Sequence, residues 1–130
     1  MDRVSVLVAD DDADIRGLLA AFVSSDPAFK LIGVASDADE AINLAQEHKP
    51  AAALVDAAMP GGGGLRVVRE LQSFSPSTSV VALSAYDERN IVIEMLQAGA
   101  MSYLVKGATR EQILHSLHRA LVARAELVSS

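Results

Sequence analysis

The sequence predicts an α/β protein whose core is a parallel sheet covered by helices on both faces. Two observations carry this. Short apolar runs alternate with helical patterns five times along a chain of 130 residues, and the loops between them are short, as expected of strands joined by right-handed crossovers. A third observation points to where the function sits. Two of the apolar runs stop at aspartates, Asp10 and Asp56. In open parallel sheets the carboxyl edge is where ligands and chemistry are found.

The elements follow in order. Val4 to Ala9 reads as a buried strand ending in Asp10-Asp11-Asp12. Ile15, Leu18, Leu19 and Phe22 then share one helix face at i, i+3, i+4 and i+7, until Asp26-Pro27 breaks the pattern. Phe29 to Val34 is a second strand. Asp37 and Glu40 have capping-box spacing ahead of Ala38, Ala41, Ile42 and Ala45, and Lys49-Pro50 closes that helix. Ala51 to Val55 is the third strand, delivering Asp56 to a turn. Leu65, Val68 and Leu71 mark a third helix that ends near Ser75-Pro76. Ser79 to Ser84 is a fourth strand, and Glu88 to Ala98 a fourth helix with Gly99 as its cap. Met101 to Val105 is the fifth strand, ending at Lys106-Gly107. Thr109 and Gln112 repeat the capping-box spacing before Ile113, Leu114, Leu117 and Leu121. One domain over residues 1–124 is expected, with 125–130 as a tail or the start of a linker.

Composition narrows the function. The chain is 51% hydrophobic but only 4% aromatic, so aliphatic and alanine packing must dominate its core. It has no cysteine, which removes disulfides and thiolate metal sites. A net charge of −6 argues against nucleic-acid binding by this domain on its own. The apolar runs are too short to span a bilayer, and the N-terminus lacks the regions of a signal peptide. A cytoplasmic location, with no direct membrane binding, is expected.

At the carboxyl edge the first strand brings Asp10, Asp11 and the adjoining Asp12, the third Asp56, the fourth Ser84 and the fifth Lys106. Like charges 4 Å apart repel by about 4 kcal/mol at an effective dielectric of 20. A hard divalent cation relieves that repulsion, and Mg²⁺ is commonly held by one or two carboxylates with waters and phosphate oxygens. A carboxylate nucleophile, Mg²⁺, an ammonium and a hydroxyl donor form a complete set for receiving a phosphoryl group on aspartate.

From Val4 to Leu121 the chain resembles the receiver domain of response regulators in bacterial two-component signalling. Val-Leu-Val-Ala-Asp10-Asp11-Asp12 resembles the family's first strand and acidic pair. Leu-Val-Asp56-Ala-Ala-Met59-Pro60-Gly61-Gly-Gly-Gly64 resembles its phosphorylation-site motif. Val-Val-Ala-Leu-Ser84-Ala85 resembles the switch-hydroxyl strand, and Gly99-Ala-Met-Ser-Tyr103-Leu-Val-Lys106 the switch-aromatic and lysine segment. Each motif alone is weak, and four in order are strong.

The resemblance implies a doubly wound, five-stranded flavodoxin-like sheet of order 2-1-3-4-5. It implies Asp56 as phospho-acceptor and Mg²⁺ as cofactor, held by Asp11, Asp56 and the backbone carbonyl of Ala58, with Asp10 acting through water. Ser84 and Lys106 would contact the phosphoryl group, and Tyr103 would turn with the switch. Ala58 and Tyr86 occupy the two positions that commonly tune phosphoryl lifetime. The implied partner is a sensor histidine kinase or phosphotransfer protein. Gly107, standing where proline usually follows the lysine, favours a helix-turn-helix output domain, fused or separate.

Three further signals have competing readings. Gly61 to Gly64 lack the Lys-Ser/Thr of a phosphate-cradling P-loop and read as a bend. His115 and His118 share a helix face without a third ligand, so a solvated face is expected. In the fourth helix, Ile91, Met95 and Ala98 form an inward stripe, while Val92, Ile93 and Leu96 widen the apolar arc past half the circumference. Those three are expected to mark an interaction face, for an output domain or a phosphorylation-dependent homodimer.

Other functions compete less well. A Mg²⁺-dependent aspartyl phosphatase needs a second Asp two residues after the nucleophile, where this chain has Ala58, and a cap insertion it has no room for. A dinucleotide-binding module needs a glycine-rich turn after the first strand, where three aspartates would repel a pyrophosphate. A phosphorylation-independent docking receiver would not need Asp10, Asp11, Asp56, Ser84 and Lys106 together. The expectation is a regulatory domain whose own chemistry is limited to self-phosphorylation and self-dephosphorylation.

Overall fold

A computed structural model describes residues 3–129, with side chains to residue 127. Met1, Asp2 and Ser130, at the two ends of the sequence reading, lie outside the described residues. Ten elements alternate along the chain: β1 (Val4–Ala9), α1 (Ala13–Ser24), β2 (Phe29–Ala35), α2 (Ala38–His48), β3 (Ala52–Asp56), α3 (Gly63–Phe74), β4 (Ser79–Ser84), α4 (Arg89–Ala98), β5 (Ser102–Val105) and α5 (Arg110–Ser129). The strands form one sheet of order β2-β1-β3-β4-β5. All four pairings are parallel, as the alternation requires.

Every residue of β3 and β4 is buried, which is why their sequences are apolar without alternation. Successive residues of the central strands feed two separate cores. Leu7, Ala53 and Val55 face α2, α3 and α4, meeting Ile42, Leu71 and Met95. Val6, Leu54 and Leu83 face α1 and α5, meeting Leu19, Val23 and Leu117. Burying a side chain of this size contributes about 1.5–3 kcal/mol, so the two aliphatic layers can hold the sheet without aromatic bulk.

Caps set the helix starts. Asp12 is the N-cap of α1, its side chain accepting from the amides of Asp14 and Ile15 at 2.9 and 3.1 Å. Asp37 accepts from the amide of Glu40 at 2.8 Å, but Glu40 turns its carboxylate to the Ser36 hydroxyl, so only half of the expected capping box forms. At α5 the box is complete: the Thr109 amide donates to Gln112 Oε1 at 2.8 Å, and the Gln112 amide to Thr109 Oγ1 at 3.1 Å.

Several expectations need correction. Leu18, on the expected inward face of α1, is 53% exposed, and Val23 takes its place in the core. Helix α5 runs to Ser129, so residues 125–129, expected as a tail or the start of a linker, are helical. His118 is not simply solvated. Its Nε2 lies 3.0 Å from Asp26 Oδ2 and its ring 4.6 Å from that of Phe29, joining α5 to the turn between α1 and β2. Asp26 is held below the usual carboxylate range, first by the hydrogen bond from the Ala28 amide and then by that from His118.

Candidate functional site at the carboxyl edge

The sheet order puts β1 and β3 side by side, with Ala9 opposite Val55. Asp10 and Asp56 therefore emerge as neighbours, and both are fully buried. With the exposed Asp11 they form a triad whose ligand atoms all lie within 4.8 Å of one another. Asp12, considered for the cluster, leaves it for the helix cap. Strand β4 sets Leu83 opposite Asp56, so the buried Ser84 follows one position on. Its carbonyl accepts from the Lys106 amide at 2.8 Å, which brings the end of β5 into the site.

The Lys106 ammonium stands 3.1 Å from Asp56 Oδ1 and 3.4 Å from Asp10 Oδ2. Backbone amides also hold one oxygen of each buried carboxylate. Asp10 Oδ1 accepts from the Asp12 amide at 2.9 Å, and Asp56 Oδ1 from the Ala58 amide at 3.2 Å. Arg16, which the motif reading passed over, donates from Nη1 to the Asp10 carbonyl at 2.9 Å and ties α1 to the site. Its signal was a basic residue in the first turn of a helix that starts at the acidic edge. Glu88 was also passed over. Its Oε1 accepts from the Ala85 amide at 2.7 Å and shapes the loop after Ser84.

The electrostatics are unbalanced. Three carboxylates face one ammonium. Burial pushes the Asp56 carboxyl up to about 7, and the charge of Asp10 and contact with Asp11 add to the rise against the pull of Lys106. Burial alone would lower Lys106, but its hydrogen bond to Asp56 and the charges of both buried aspartates raise it. Among the described residues Asp56 Oδ2 is buried without a hydrogen-bond partner, and Asp10 Oδ2, equally buried, meets the Lys106 ammonium only at 3.4 Å and makes no hydrogen bond. Two such oxygens beside a third carboxylate form a donor set suited to a hard cation.

The remaining expected residues cluster around a cavity of about 470 Å³ beside the acidic group, lined among others by Ser84, Tyr86, Arg89, Leu96 and Tyr103. Tyr103 is 53% exposed at its rim and Tyr86 is more exposed still. Val92 lines the same cavity but is buried, so it belongs to the core and not to an exposed face. Ile93 is exposed, Leu96 half-buried and Ile91 half-buried. The fully buried residues of α4 are Val92 and Met95, with Ile91, Leu96 and Ala98 partly buried against the same core. Ala58 lies on the loop after Asp56, lining a second cleft with Asp11, Met59, Gly62 and Glu94. His115 and His118 stay on α5, remote from this edge.

The model of the response regulator receiver domain family matches residues 6–118. Among curated proteins, the transcriptional regulatory protein NarL of Mycobacterium tuberculosis is 34% identical over 116 residues, covering 89% of this chain and 54% of that protein. The response regulator GacA of Pseudomonas aeruginosa is 31% identical over 116 residues, covering 89% of this chain and 54% of GacA. This chain thus spans about half the length of the curated relatives it matches. Among solved structures, the signal receiver domain of NarL from M. tuberculosis superposes with a TM-score of 0.87 at 33% identity, over 93% of this chain and 98% of that one.

Proposed function

Since this chain belongs to the response regulator receiver domain family, a regulatory domain of two-component signalling, we propose that Asp56 is its phospho-acceptor and that Mg²⁺ is its cofactor. The observation that carries this reading is the placement of Asp56. It is buried at the end of a central strand, with one carboxylate oxygen unpartnered, two further carboxylates on one side and the Lys106 ammonium 3.1 Å away.

Asp11, Asp56 and the Ala58 carbonyl would hold the metal, with Asp10 reached through water. Bound there, Mg²⁺ would supply positive charge beside the phosphoryl oxygens and would favour the carboxylate form of Asp56. An Asp56 oxygen then attacks phosphorus in line, a new oxygen–phosphorus bond forms, and the bond to the donor's leaving group breaks with its electron pair. Lys106 and the Ser84 hydroxyl hold the transferred group's remaining oxygens, and Ala58 and Tyr86 border the path by which water removes it.

The natural donor would be a sensor histidine kinase or a phosphotransfer protein. NarL and GacA are named as regulators, and Gly107 favours a helix-turn-helix output. Residues 1–124 would be the receiver and the remainder the way to its partner. Its place of work would be the cytoplasm; among the described residues no helix is long and apolar enough to cross a membrane. The output face would be the rim of the Ser84–Tyr103 cavity together with Ile93 and Leu96.

Incubation with Mg²⁺ and acetyl phosphate should add one phosphoryl mass, and Asp56→Asn should abolish it. Undiminished labelling of that variant would overturn the assignment.

A further inference from the structure

The loop between β3 and α3 has an unusual backbone. Gly61, Gly62 and Gly63 all take positive φ angles, of 88, 111 and 71°. Three such residues in a row lose more conformational freedom on ordering than any other triplet, and they bring no side chains to hold themselves in place. The N-cap of α3 is one of them, Gly62, so the helix start has no side-chain cap either. Yet this loop carries Ala58, two residues after the acceptor.

One side chain crosses it. Arg66, in the first turns of α3, donates from Nη1 to the Gly61 carbonyl at 2.8 Å and to Asp39 Oδ1 of α2 at 2.6 Å. Its stem lies along the glycines, so that a Cβ at residue 62 would stand 2.8 Å from Arg66 Cδ and 3.1 Å from Arg66 Cβ. The absence of a side chain at Gly62 makes the path that Arg66 uses. A second tie, from the Ala38 amide to the Pro60 carbonyl at 3.0 Å, fastens the same loop to the start of α2.

We propose that Arg66 is a positioning residue for the metal subsite, clamping the glycine loop to α2 so that residue 58 stays in place to receive the cation. The inference rests on the receiver reading and deepens it. Arg66 touches neither the cation nor the phosphoryl group. It acts through the loop, by raising the fraction of molecules whose loop is competent to bind. Apparent affinity scales with that fraction. The pair is surface-lying, with Arg66 41% and Asp39 69% exposed, so it contributes little to global stability. Metal affinity and fold stability should therefore separate.

The test is a Mg²⁺ titration followed by the amide resonances of Gly61 to Gly64, with thermal melts of the metal-free proteins alongside. Arg66→Ala should weaken Mg²⁺ binding by about three- to tenfold, broaden or shift those amides before metal is added, and leave the melting temperature unchanged. Asp39→Ala, which spares the bond to Gly61, should lose less. Arg66→Lys, which keeps a charged donor, should recover part of the affinity. An Arg66→Ala protein that binds Mg²⁺ as tightly as wild type overturns the clamp, as does one whose weaker binding merely follows a lower melting temperature. A wild-type protein that binds no Mg²⁺ overturns the proposed metal site and the clamp with it.

Discussion

Gly64 sits so close to Asp56 that a Cβ built on it would stand 2.6 Å from the Asp56 carbonyl oxygen and 2.7 Å from Met95 Cε. Met95 can swing aside, but the carbonyl is backbone at the buried end of β3 and cannot. Gly64→Ala should therefore push α3 off the sheet, cost about 1–3 kcal/mol by overpacking, and slow phosphorylation by moving the loop that follows Asp56. Chemical denaturation and acetyl phosphate labelling would measure the two effects. Wild-type stability in this variant would show that the approach is looser than it stands here.

The raised carboxyl of Asp56 predicts a pH dependence with a definite sign. Its folded value of about 7 lies above the ordinary 3.8, so the folded state holds this proton more tightly than the unfolded chain. Stability from this group is full below pH 4 and is lost as pH rises towards 7. Asp56→Asn removes the penalty. In EDTA at pH 8 the variant should be more stable than wild type by roughly 1–3 kcal/mol, within the limit of about 4 that three pKa units allow. The gap should close as pH falls towards 4. Equal stability at pH 8 would mean that Lys106 already neutralises the buried charge.

Exposure on α4 selects the residue for testing the output face. Leu96 packs partly on the core, whereas Ile93 is 46% exposed. Ile93→Asp should lower phosphorylation-dependent self-association or output binding by about tenfold, as loss of a central interface anchor does, with Asp56 labelling and melting temperature unchanged. Sedimentation with and without acetyl phosphate reads the outcome. Association like that of wild type would send the signal out by another face.

Much of the fold was legible because β1, β3 and β4 lie between two helical layers and so need apolar residues throughout. Asp10, Asp56 and Ser84 were legible as ends of those runs, and Lys106 as the residue after the shorter run of β5. The errors have physical reasons. An α-helix apolar around more than half its circumference, as α4 is, leaves its phase undetermined, and Val92 was placed outward when it packs in the core. Asp12 was no error: it is of the same type as Asp10 and Asp11, both a cap and the cluster were open to it, and its amide partners decide for the cap. The ties of His118 to Asp26 and of Arg66 to Asp39 join residues 92 and 27 positions apart. No periodicity encodes such pairs.

Strand β5 has only four residues, lies at the edge of the sheet and pairs with β4 alone. Hydrogen-exchange protection usually falls from central strands to margins like this one. Brief local opening of β5 would withdraw Lys106 from both carboxylates while β1 and β3 stay paired. The acceptor and its counter-charge therefore belong to regions that open independently, and amide exchange at Ser102 to Val105 should run ahead of exchange at Ala52 to Val55.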